Sequence, residues 1–142
     1  MTTLQAPPQE HPDLARLRDE WTQDVERLEQ QLTAWAEQEG WQVHATPRVI
    51  NEESLGTYTV PDLVIGTLES DHLRVEVKGR GPAAASGLVQ IFAWPTLFRV
   101  HLLRRPGQNT WTIRTDSGIP LHRPWNRDTF ITLAHDLLSA DE

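Results

Sequence analysis

Between Pro12 and Glu39 the apolar residues fall at Leu14, Leu17, Trp21, Val25, Leu28, Leu32 and Trp35. Steps of three and four keep those side chains on one side of an α-helix. Gly40 follows, where a helix end favours a residue that tolerates left-handed backbone. The spacing predicts one core helix with a frayed start, or two helices in line. An apolar stripe of that length must be covered, and the following segments read as the sheet that covers it.

Trp41 to Ile50, Tyr58 to Leu68 and His72 to Lys78 read as three strands, the last two joined by Glu69-Ser70-Asp71. A helix is expected within Ala83–Trp94, bounded by Pro95. Leu97 to Leu103 and Thr110 to Thr115 read as two more strands, and Trp125-Asn126-Arg127-Asp128 leads into a closing helix. The order is α-β-β-β-α-β-β-α, an α+β chain with a central mixed sheet flanked by helices. Residues 1–11 are polar, Pro-rich and aperiodic, and are expected to be disordered. Residues 12–142 are expected to form a single domain.

With no cysteine there is neither disulfide nor thiolate ligand. A metal would be held by carboxylates, carbonyls, histidines or water, which suits Mg²⁺ or Mn²⁺. The first residues carry no basic stretch followed by an apolar run, and no run approaches the ~18 apolar residues of a membrane span. A soluble, cytoplasmic protein without a membrane partner is the expectation. The net charge of −7 is uneven. Residues 72–127 hold nine bases against Glu76 and Asp116, while the flanking segments are acidic. That asymmetry can mark a phosphate-facing side on an acidic body. Arg80, within Gly79-Arg80-Gly81, could clamp a phosphate, and Arg104 and Arg105 could track a nucleic-acid backbone.

The thirteen Lys and Arg residues include one lysine, Lys78, in Glu76-Val77-Lys78. Lysine can be pushed toward neutrality by burial and arginine cannot. On a strand Glu76 and Lys78 share a face. A hairpin turning at Glu69–Asp71 brings Asp62 opposite or diagonal to them, at roughly 5–8 Å. Two carboxylates at that spacing can share a divalent cation, and a lysine beside them can act on a bound water or on a phosphate.

Pro61-Asp62, Glu76-Val77-Lys78 and the element order resemble the PD-(D/E)XK nuclease superfamily, over the chain from about Glu26 to Leu103. The likeness is to its RecB-like members. Gln90-Ile91-Phe92-Ala93-Trp94 stands where that subgroup has Gln-x-x-x-Tyr on a helix, with Trp94 in place of the tyrosine. Glu76-Val77-Lys78-Gly79-Arg80-Gly81 also resembles a stretch of archaeal-type mismatch endonucleases. The resemblance implies a restriction-endonuclease-like core and a Mg²⁺- or Mn²⁺-dependent endonuclease hydrolysing phosphodiester bonds in DNA, with RNA not excluded. Asp62, Glu76 and the Val77 carbonyl would be the metal ligands, joined by Glu29 or Glu26 from the first helix. Lys78 would be catalytic, and Gln90 would position it or the phosphate. The alternative is an inactive nuclease-fold module that binds nucleic acid or a protein partner, the first helix supplying a protein or homodimer contact. There the same residues form an exposed salt bridge worth ~0–1 kcal/mol.

Overall fold

The computed structural model describes residues 12–53, 55–66, 71–79, 87–94, 99–104, 110–115, 120–121 and 123–138. The expected disorder of residues 1–11 lies outside them, as do Arg80 and Arg105. Helix α1 spans Pro12–Gln38. Trp21, Val25, Leu28, Leu32 and Ala36 are buried along one side, as the stripe requires. The helix ends in a paired cap. Gly40 N–H donates to Glu37 O and Trp41 N–H to Ala36 O, both at 3.0 Å. This closure needs the left-handed geometry that Gly40 supplies at φ 80°.

Among the described residues seven strands follow: β1 Val43–Glu52, β2 Gly56–Ile65, β3 His72–Gly79, β4 Gly87–Trp94, β5 Arg99–Arg104, β6 Thr112–Thr115 and β7 Pro120–Leu121. They lie in chain order in one sheet and every pairing is antiparallel. Helix α2, Arg127–Leu138, closes the described chain. Its first turn is capped by Asn126, whose Oδ1 accepts from Thr129 N–H at 2.9 Å. Phe130, fully buried, carries α2 into a ring cluster with Trp35, Trp41 and Trp125. Arg127 ties the two helices, donating to Gln38 at 2.7 Å and to Glu39 at 2.9 Å.

The fold is mixed α+β, as expected, but two details differ. Among the described residues the sheet is antiparallel rather than mixed. Of the stretch Ala83–Trp94, where a helix is expected, the described residues 87–94 form strand β4 instead. Val89, Ile91 and Ala93 alternate on the buried side, and β-branched and aromatic residues suit a pleated surface. A short apolar run can match either period, and here the sheet partners decide. Gly87 adds a packing reason. A Cβ there would lie 2.1 Å from the Trp21 ring, so the strand and α1 approach as closely as they do only with glycine.

The β1–β2 hairpin is the distinctive part. β1 and β2 pair over ten positions, whereas β2 pairs with β3 only from Leu63 to Ile65. The rest of the hairpin runs past β3. Its buried positions change parity on the way: Tyr58 and Val60 before Pro61-Asp62, then Leu63 and Ile65 after it. The tip returns to α1, where Arg18 Nη1 donates to Leu55 O and Trp21 Nε1 to Tyr58 Oη, each at 3.1 Å. The apolar stripe of α1 is therefore packed within the chain.

Replacing Gly87 with alanine should destabilise the fold by about 1–3 kcal/mol, since a buried ring must shift. Trp21→Leu in the same chain should recover part of that loss. Urea denaturation of the single and double variants checks this; a neutral Gly87→Ala would contradict the close approach.

Candidate functional site

Asp62 stands at the parity change of β2, just beyond the last β2–β3 pair, Leu63 with Val75. Its Oδ1 accepts from the backbone N–H of Val77 at 3.2 Å. Its Oδ2 is ion-paired with Arg48 Nε at 2.6 Å. The Arg48 guanidinium also donates to the Val77 carbonyl. Asp62 and β3 do meet, as the sequence predicts, but through the β3 backbone and an arginine. Sequence reasoning missed Arg48. Its place opposite Val60, two pairs along the β1–β2 ladder from Asp62, follows only from the register.

Glu76 and Lys78 also meet, with Nζ to Oε1 at 2.9 Å. Lys78 sits at a bulge, between the pairs Val77–Val89 and Gly79–Leu88. Its side chain is 36% exposed, so it is not the buried lysine that the argument from composition anticipates. Gln90 lies opposite Glu76 on β4, not on a helix. Its amide bonds along the sheet, to His101 Nδ1 at 3.4 Å and from Arg99 at 3.5 Å.

These residues do not fit a shared divalent cation as arranged. The Val77 carbonyl faces a guanidinium, Asp62 is occupied by that same guanidinium, and Glu76 is paired with Lys78. Among the described residues no three His, Asp or Glu side chains converge as a metal ion requires.

Glu29 of α1 is the exception to this pairing. It is 4% exposed, and both carboxyl oxygens are buried without a hydrogen-bond partner. Burial, then the nearby charges of Asp62 and Glu26, push its pKa from 4.5 up to about 8. Glu26, the other candidate on α1, is exposed. A second buried polar chain lies nearby. Trp21 donates to the Tyr58 hydroxyl, which donates to Glu52 Oε2. The Glu52 carboxylate in turn lies over Gly79, where a Cβ would come within 2.8 Å of it. Burial and the bond to Glu52 raise the Tyr58 pKa.

The arginines of the basic segment divide between two sides of the sheet. Arg104 faces α1, paired with Asp24 at 3.1 Å and set over the Trp111 ring. Arg127 joins the helix ends. Arg74, Arg99 and Arg114 occupy the opposite side, on three different strands. The register aligns Arg74 with Phe92 and Phe92 with Arg99, and aligns Glu76, Gln90, His101 and Arg114 in a neighbouring row. Arg74 lies 4.6 Å from the Trp94 ring centre, and Arg99 lies 5.8 Å from that of Phe92. Trp94 is 42% exposed. Trp125 packs on Trp35 and Phe130.

No family model, curated protein or solved structure matches this chain. Among the described residues no helix is long and apolar enough to cross a membrane.

The Glu29 carboxyl makes stability depend on pH. Its unfolded form ionises near 4.5 and its folded form near 8, so the folded state holds the extra proton between those values. The stabilising contribution is complete below 4.5 and is lost as pH rises through 8. Glu29→Gln should therefore gain stability relative to the native chain from pH 5 to pH 8. Denaturant midpoints for both chains across that range check this, and parallel curves would contradict it.

Proposed function

We propose that the chain is a binding module for single-stranded nucleic acid, taken up without cleavage on the sheet face opposite the helices. The observation that carries this reading is Trp94, exposed at the end of β4 with the Arg74 guanidinium over its ring. An aromatic face can stack a base, and arginines beside it can meet phosphates. Arg99 and Arg114 extend the positive charge across the next strands, and Lys78 stands on the neighbouring strand at the bulge. The acidic residues of α1 lie on the other side of the sheet, so the overall charge of −7 does not oppose binding here as strongly as a uniform distribution would.

The second reading is the one implied by the sequence resemblance, a Mg²⁺- or Mn²⁺-dependent DNA endonuclease built on a restriction-endonuclease-like core. The bulge that sets Lys78 beside Glu76 favours it, because bulges occur next to active sites, as does the unpartnered Glu29 near Asp62. It requires Asp62 and Glu76 to leave their present partners, and β4 stands where that core has a helix.

One experiment separates the two. Fluorescence anisotropy with a labelled oligodeoxythymidine should show affinity that falls with salt. Trp94→Ala and Arg74→Ala should each weaken it by about 5- to 100-fold, the range for loss of one stacked base. Arg104→Ala, on the helix side, should change it little. Equal effects of Arg74→Ala and Arg104→Ala would remove the proposed face. Oligouridine in the same assay compares RNA with DNA. Plasmid nicking that requires Mg²⁺ or Mn²⁺ and disappears in Lys78→Ala would replace the first reading with the second.

A further inference from the structure

A cleft of about 390 Å³ runs between α1 and the β1–β2 hairpin. Its walls include Ala34, Ala45 and Leu63, and carboxyl groups reach it from Glu26, Glu29 and Glu37. That volume lies within the range of small-molecule sites, which are apolar with a few placed polar groups. The polar groups here are of one sign. Glu26 and Glu37 are exposed at positions eleven residues apart on α1, roughly 16 Å along the helix axis at 1.5 Å per residue. Between them Glu29 is buried, and neither of its oxygens has a partner. The cation on β1, Arg48, is committed to Asp62 and to the Val77 carbonyl, leaving Glu29 unpaired.

We infer that this cleft binds a linear aliphatic polyamine. Its methylene segments would lie on the alanine and leucine walls. Its ammonium groups would meet the carboxylates at the two ends and Glu29 between them. A hydrated metal ion would use the carboxylates and waste the walls, and a single short amine would reach one carboxylate of the three. A cation against Glu29 also offsets the burial that holds this carboxyl protonated. The inference does not depend on nucleic-acid binding, since the cleft lies on the helix side of the sheet.

Isothermal titration calorimetry of the full chain with spermidine tests it. One equivalent should bind. Glu29→Gln, and Ala34→Leu, which fills the cleft without changing charge, should each weaken binding about tenfold or more. Glu20→Gln, at an exposed carboxylate on the same helix, should leave it unchanged. Butylamine should bind about tenfold more weakly than spermidine or worse. Circular dichroism confirms that each variant is folded, and the two cleft variants fail for different reasons if either is damaged. Several weak equivalents that persist in Glu29→Gln would overturn the inference in favour of diffuse attraction to an acidic surface. A site lost in Glu29→Gln that takes Mg²⁺ and not spermidine would overturn it in favour of a metal.

Discussion

The Arg48 guanidinium holds the β1–β2 hairpin to β3 where the backbone ladder alone would leave them loosely joined. Hydrogen bonding between β2 and β3 stops after three residue pairs. Beyond that point Asp62 accepts from the Val77 N–H, and Arg48 reaches both Asp62 and the Val77 carbonyl. A buried N–H or C=O left unpaired costs about 1–3 kcal/mol. The side chains thus complete the accounting that a longer ladder would have done. This frees the hairpin to leave the plane of β3, expose its other side at Pro61-Asp62 and bring Tyr58 and Leu55 back to α1. The cleft beside α1 and the burial of Glu29 both follow from that path.

The same tie changes the meaning of Asp62. An acid entering an apolar strand, facing Glu-x-Lys on the next, can serve a cation or satisfy the strands themselves. Here the second use is filled by named partners at hydrogen-bond and ion-pair distances. Glu76 and Lys78 likewise satisfy each other. What lies open to a ligand is elsewhere: an arginine-and-aromatic face on one side of the sheet and an acidic cleft on the other. The two are of opposite charge and separated by the sheet, so each can be altered without touching the other.

Much of the frame was legible in the sequence. The stripe from Leu14 to Trp35 and the stop at Gly40 gave α1 almost to the residue, because a 3.6-residue period over about six turns has no competing explanation. The three strands after it and the pairing of Asp62 with β3 were legible from alternation and a short connection. β4 was not. Leu88, Ile91 and Phe92 fit a helical step while Val89, Ile91 and Ala93 fit a strand, and the choice rests on sheet neighbours and on Gly87 meeting Trp21. Arg48 was hidden for a related reason: its partner is fixed by a cross-strand register and a parity change that no local pattern carries. Glu29 was legible as a polar residue at the flank of an apolar stripe. That it has no partner is a fact of the packing.

The most direct test is a double-mutant cycle on Arg48→Met and Asp62→Asn, read as unfolding free energy in urea with a chelator present. The account predicts that each single change destabilises and that the pair is coupled by about 0.5–3 kcal/mol, as for residues in one network. Single variants indistinguishable from the native chain, with additive effects, would show that Asp62 does not hold the strands together. The carboxylate would then be available for a ligand.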